Sequence, residues 1–271
     1  MLNTEMRNER TMHIDKMATI DMVRVMNEEN MNSVRAVEAA LPQVAEAIDM
    51  IAAAMQNGGR LIYMGAGTSG RLGVMDAAEC PPTFGVPHEM VQGFIAGGRE
   101  RMFTAGENAE DSREQGEKDA AAVLRPNDVL VGISAAGGAQ YVVGALCKAH
   151  ELGCGTVAIT SNPGTAITKV ADIAIVCDTG AEVITGSTRL KAGNAQKFVL
   201  NMLSTCVMIK TGKVYENLMI NLKPSNDKLR GRVRRITAAI LDCDEQQAEA
   251  WLDRAGWDIR AAVALAGHEH A

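Results

Sequence analysis

Aromatic residues are scarce, at two tryptophans, three tyrosines and four phenylalanines in 271 residues. So few rings argue against the exposed stacking platforms that single-stranded nucleic acids require. An excess of basic charge is missing as well. The net charge of −6 supplies no broad field for a polyanion, so no nucleic-acid partner is expected. No apolar run approaches the ~18 residues of a membrane span, and the polar opening MLNTEMRNERTMHIDKM does not read as a secretory signal. The six cysteines, Cys80, Cys147, Cys154, Cys177, Cys206 and Cys243, contain no CxxC pair; this is the usage of reduced, mostly buried thiols. No HExxH or Cys/His spacing occurs: His13, His88 and His150 are isolated, and His268-Glu269-His270 falls at the end of the chain, where fraying outranks metal binding. A cytoplasmic protein without membrane, metal or cofactor is the expectation.

What is present is a regular alternation. The first fifty residues have helical spacing, with Thr19 placed to cap a first helix and a second running from about Val34 to Met55, until Asn57-Gly58-Gly59 stops it. Five short apolar runs follow: RLIYMGAG from Arg60, MVQGFIAG from Met90, DVLVGIS from Asp128, GTVAITS from Gly155 and IAIVCD from Ile173. Runs apolar on successive positions suit strands covered on both faces. Helical stretches between them, such as 139–152 and 192–210, imply βαβ units and a parallel sheet. The fold class is therefore α/β, a three-layer doubly wound parallel sheet with N-terminal helices. Past Lys223-Pro224 a basic helix, a capping box at Asp244 to Gln247 and a last helix from about Asp258 suggest a small three-helix, ubiquitin-associated-like tail. The domains read as 1–43, 44–223 and 224–271.

The glycine-rich segment GAGTSGRLGVMDAAECPPTFG, Gly65 to Gly85, follows the first strand. Its GxGxxG spacing is shared with dinucleotide folds, but Thr68 and Ser69 add hydroxyls, and no acidic residue ends the second strand where a ribose would need it. A hydroxyl-bearing turn at a helix N-terminus suits a small phosphorylated or polyhydroxylated ligand; a tight turn with no ligand is the bland alternative. Glu79 lies among Ala77, Ala78, Cys80, Pro81 and Pro82, the prolines being expected to end the helix. Such surroundings favour a raised pKa and a general acid, against an ordinary helix-end glutamate. The cluster Glu107-Asn108-Ala109-Glu110-Asp111-Ser112 reads as a helix start with Asp111 and Ser112 as caps, unless one member faces inward as a base. Thr185 to Asn194 offers either an anion site through Arg189 and Lys191 or simple capping by Ser187 or Thr188.

Taken together, the stretch from Arg60 to Gly85, the segment Ala109 to Glu114, the segment Thr185 to Lys197 and the opening Thr4-Glu5…Arg7-Asn8…Ile14-Asp15 resemble the N-acetylmuramic acid 6-phosphate etherases over nearly the whole chain. The resemblance implies a sugar isomerase (SIS) fold, a homodimer and a metal-independent lyase of cell-wall recycling. That enzyme converts N-acetylmuramate 6-phosphate and water into N-acetylglucosamine 6-phosphate and D-lactate. It implies Glu79 as acid and Glu110 as base, with Gly67, Thr68, Ser69, Ser134, Gly137, Ser187, Thr188, Arg189 and Lys191 binding an amino-sugar phosphate.

One loop departs from the family pattern. Where the family has a Ser-Gly-Arg-Thr-Pro type turn, this chain has Ala136-Gly137-Gly138-Ala139-Gln140, and Asn194 replaces a threonine. Each hydrogen bond lost to a charged phosphate is worth ~1.5–3 kcal/mol. Two alternatives follow: a regulatory sugar-phosphate sensor, akin to the glucokinase regulatory protein, or an etherase with an altered substrate.

Overall fold

A computed structural model describes residues 1–267 apart from Glu107 and Ser225. The histidines near the C-terminus and Glu107 of the acidic cluster lie outside the described residues. All five expected strands form: β1 (Leu61–Gly65), β2 (Val91–Ile95), β3 (Val129–Ile133), β4 (Gly155–Thr160) and β5 (Ile173–Val176). They pair in parallel in the order β2-β1-β3-β4-β5. Every residue of β1 and β3 is buried, which is why these runs are apolar throughout rather than alternating.

Helices cover both faces. One face packs on α1 (Thr19–Ala39), α2 (Leu41–Gln56), α3 (Gly67–Phe84) and α6 (Lys191–Lys210), through Tyr63, Val131, Ile159, Ala77, Val199 and Leu203 among others. The other face packs on α4 (Arg113–Val123) and α5 (Gln140–Glu151), through Ile62, Met64, Leu130, Val142 and Leu146. A third cluster joins α7 (Asp227–Leu241), α8 (Glu245–Arg254) and α9 (Ile259–Leu265) to Ile220 and Leu222. Asn226, Asp244 and Asp258 cap these three helices, and both halves of the Asp244–Gln247 capping box are made.

Three boundaries differ from the sequence expectation. The helical spacing from Val34 continues α1 to Ala39, and the chain turns at Ala40 because Pro42 takes the first turn of α2, where a missing N–H costs nothing. Thr19 is the first helical residue rather than the cap. Pro81 and Pro82 lie inside α3 instead of ending it. So close to the C-terminus the prolines remove only the donors to Ala77 and Ala78. The helix ends one turn later, at Gly85 with φ +63°, where Asn221 Nδ2 donates to Phe84 O.

The first seventeen residues are not an amphipathic helix. They form three 3₁₀ turns, Asn3–Glu5, Glu9–Thr11 and Ile14–Lys16, that strap across the segment between β5 and α6. Asn3 Nδ2 donates to Asp178, Asn8 Nδ2 to Ala181 O and Thr11 Oγ1 to Val183 O. Among the described residues no helix is long and apolar enough to cross a membrane.

Candidate active site

In a sheet of order 2-1-3-4-5 the connections from neighbouring strands β1 and β3 leave toward opposite faces. This opens a crevice at their C-terminal ends, where doubly wound folds take their ligands. The structure has a cleft of about 340 Å³ there, large enough for a sugar phosphate. Its floor is Ile133 to Ala136 after β3 and Ala66 to Ser69 after β1; Ala139, Gly186, Thr188, Glu5 and Glu110 complete the wall.

The glycine loop shapes one side for steric reasons. A Cβ at Gly70 would meet Gly65 O at 2.6 Å, and Gly67 has φ +54°, so side chains would break the tight exit of the strand into α3. No side chain caps α3 or α5. Their first-turn amides, with the positive ends of two helix dipoles, therefore remain for a ligand. Thr68 lines the cleft; Ser69 lines it as well but its hydroxyl donates to Gln196 Oε1 at 3.0 Å. Ser134 Oγ accepts from Gly137 N at 3.1 Å, which leaves the hydroxyl hydrogen for the cleft.

Glu110 sits in a 3₁₀ turn, Ala109–Asp111, held over the cleft by Asn108 in the left-handed conformation and by Ser112, which caps α4 through Gln115 N. It also lines an adjoining hollow of about 120 Å³ with Arg71 and Arg101. The two guanidinium groups brace the loop beneath it: Arg71 donates to Met102 O and Thr104 O, Arg101 to Ala105 O.

The structure brings together Gly67, Thr68, Ser69, Ser134, Thr188 and Glu110. Gly137 lies just behind, against Thr165. Four other expected residues are elsewhere. Glu79 is ten positions past Ser69 in α3, about 15 Å along the helix from the cleft at 1.5 Å per residue, and is exposed rather than enclosed by its apolar neighbours. Ser187 and the exposed Arg189 do not line the cleft. Lys191 is 1% exposed and its Nζ donates to Glu29 Oε2 at 2.7 Å, so its charge serves the interior.

Neither Ser187 nor Thr188 caps α6. The Glu182 carboxylate accepts from Lys191 N at 3.0 Å and Ala192 N at 2.9 Å, occupying the very amides that an anion would need. Burial pushes the Glu182 carboxyl up despite these amides. Sequence reasoning missed Glu182 because it is nine residues from the amides it caps. It also missed Glu5, whose only signal was the Thr4-Glu5 pair in the opening motif. Among the described residues no three His, Cys, Asp or Glu side chains are grouped to hold a metal.

Residues 43–150 match the model of the glucokinase regulatory protein N-terminal SIS domain and residues 98–206 that of the SIS domain. Among solved structures, the phosphoheptose isomerase from Francisella tularensis is similar at TM-score 0.54 and 19% identity, over 71% of this chain and 100% of that one. The phosphoheptose isomerase from Neisseria gonorrhoeae is similar at 0.52 and 18%, over 70% and 98%. These likenesses are of fold. Much closer in sequence is the N-acetylmuramic acid 6-phosphate etherase of Symbiobacterium thermophilum, 52% identical over 262 residues, 97% of this chain and 87% of that relative. That of Serratia proteamaculans is 51% identical over 265 residues, 97% and 89% respectively. With half of its residues shared along almost its full length, on an SIS-type sheet, this chain belongs to the N-acetylmuramic acid 6-phosphate etherase family.

Proposed function

We propose that the protein cleaves the D-lactyl ether of N-acetylmuramic acid 6-phosphate with water, yielding N-acetylglucosamine 6-phosphate and D-lactate, as a cytoplasmic step of peptidoglycan recycling. The observation that carries this reading is the position of Glu110, which faces the uncapped first turns of α3 and α5 across the β1/β3 cleft. The helix ends suit an anionic phosphate, while the carboxylate is free to move a proton.

The ether oxygen is on C3 of the sugar, beta to the aldehyde of the opened ring. Glu110 takes the C2 proton, which the carbonyl makes acidic, and the C3–O bond breaks as a second carboxyl, Glu79, protonates the departing lactate. Water then adds to the unsaturated aldehyde: its hydroxide joins C3, Glu79 takes the remaining proton, and Glu110 returns its proton to C2. Both glutamates are exposed in the single chain. The burial that tunes a carboxyl for acid–base work near neutral pH must come from substrate and from a second copy.

A homodimer answers this need and the placement of Glu79 together. The helical layer that carries Glu79 also carries an apolar groove of about 670 Å³ lined by Val34, Leu41, Phe198, Met202 and Cys206. In this reading, docking of two such faces is what supplies the Glu79 of one copy to the cleft of the other. Phosphate binding rests on backbone amides, Thr68 and Ser134, since no lysine or arginine lines the cleft.

The loop Ala136-Gly137-Gly138-Ala139-Gln140, which lacks the family's hydroxyls, motivates one second reading, a sensor that binds sugar phosphates without cleaving them. A lactate assay with N-acetylmuramate 6-phosphate decides between the two. Release of lactate, nearly abolished in Glu110→Gln, supports the etherase; full activity of that variant would remove Glu110 from the chemistry. Thermal stabilisation by sugar phosphates with no lactate supports the sensor.

A further inference from the structure

Glu5 belongs to the cleft, although it is 105 positions away in sequence from Glu110, the other carboxylate there. The backbone around it is tied down on several sides. Thr4 is fully buried; its N–H donates to Asn162 Oδ1 at 3.3 Å and its hydroxyl accepts from Asn162 Nδ2 at 3.1 Å. The same Asn162 nitrogen donates to Ala135 O in the loop that floors the cleft. Thr4 O accepts from Gly186 N. Asn3 and Asn8 anchor the strap on either side.

The glycine at 186 matters twice. Its φ is +75°, which other residues avoid, and a Cβ there would lie 3.0 Å from Glu5 Oε2. The backbone thus makes room for the carboxylate beside Thr188. Yet among the described residues Glu5 makes neither a side-chain hydrogen bond nor an ion pair. Glu5 is exposed on the cleft wall, so water satisfies its carboxylate in the free protein and its acceptor oxygens are available to a ligand. No lysine or arginine lines the cleft to claim it, so the groups suited to replace that water are the O–H and N–H donors of a ligand.

We propose that Glu5, delivered by the N-terminal strap, is a substrate-binding residue that accepts hydrogen bonds from the hydroxyls and acetamide N–H of the amino sugar. It thereby fixes the orientation of the sugar relative to Glu110. A carboxylate repels phosphate, so Glu5 also directs the phosphate away from its own wall, toward the uncapped helix ends. The inference rests on the proposed function for the identity of the sugar, but its test does not depend on turnover.

The test is calorimetric titration of the full-length protein with N-acetylglucosamine 6-phosphate, alongside lactate kinetics, for Glu5→Ala, Glu5→Gln and Thr4→Val. Charged hydrogen bonds of this kind predict roughly a ten- to hundredfold loss of product affinity in Glu5→Ala, with KM raised in step. Glu5→Gln, which keeps one acceptor oxygen, should recover part of it. Thr4→Val, which loosens the mount while leaving Glu5, should weaken binding in the same direction. The thermal midpoint of Glu5→Ala should match that of the parent, as a purely structural strap residue would not require. Unchanged affinity and KM in Glu5→Ala would overturn the proposal, as would a collapse of kcat with KM intact, which would make Glu5 an acid–base group instead. A parent protein that binds the product yet releases no lactate refutes only the etherase activity, and the affinity series still decides for or against Glu5. A parent that does not bind the product overturns both.

Discussion

The side chains of Lys191 and Glu29 are 2% and 4% exposed and meet at 2.7 Å, at the point where α1 crosses the start of α6. Burial opposes the Glu29 charge, but hydrogen bonds from Lys191, Asn8 and Arg10 outweigh it and hold this carboxyl below its usual range. A depressed value in the folded state gives stability that is complete above the ordinary value of 4.5 and is lost as pH falls through the folded value. The buried neighbour Glu182 is shifted the other way, so the comparison of parent with Glu29→Gln isolates the effect. The thermal midpoint of the parent should fall more steeply than that of Glu29→Gln as pH drops below 4.5. At neutral pH, Lys191→Met leaves Glu29 with Asn8, Asn32 and Arg10 as partners but without its buried countercharge, and urea unfolding should show a loss of about 3 kcal/mol. Arg60 and Asp128 form a second buried pair, 2.6 Å apart, at the start of β1 and β3, the end of the sheet opposite the cleft. Its role is to hold the strands; the side chains at the other end are left for chemistry.

Elements ended where local chemistry was strong and continued where tertiary contacts overruled it. The capping box at Asp244 fixed α8 without help, because its two hydrogen bonds are made within four residues. Asp244→Ala should therefore weaken α8 by about 1 kcal/mol, seen as faster amide exchange over 245–254 with little change in the sheet. The Pro81-Pro82 pair looked like a stop, yet α3 runs on to Phe84, since Asn221 and the left-handed Gly85 complete its last turn. The interval between Val34 and Met55 looked like one helix because apolar spacing continues across Ala40. Pro42 in the first turn of α2, together with the packing of α1 on α6 and of α2 on the sheet, fixes the corner. Five strands were legible because β1, β3 and nearly all of β4 are buried on both faces, and the edge strands β2 and β5, though only partly buried, keep short apolar runs.

At the scale of the whole molecule, the proposed pair of carboxyls is not brought together within a single chain. Glu110 is at the cleft and Glu79 about 15 Å further along α3 on the exposed side of a helical layer. If two copies complete each other, Glu79→Gln and Glu110→Gln are both inactive alone, and mixing them after a denaturation–renaturation cycle restores activity. Half of the dimers formed are then mixed, each with one intact site, so recovery should approach roughly a quarter of the parent value. No recovery above the separate variants would place both carboxyls within one chain. Phe198→Glu, on the rim of the apolar groove, should shift the protein toward a monomer by light scattering and reduce lactate release in the same proportion.

By itself the sequence determined the doubly wound sheet, the glycine turn, the caps at Ser112 and Asp244 and the position of Glu110 at a helix start. Each of these depends on burial on both strand faces or on contacts within a few residues. The tertiary structure decided what each charge is for. Lys191 was withdrawn from the ligand by Glu29, the start of α6 was closed by Glu182, and Glu5 was carried to the cleft by a strap anchored on Asn162. Such pairings join residues up to 162 positions apart; no local spacing encodes them, and only the folded chain brings the partners within hydrogen-bonding distance.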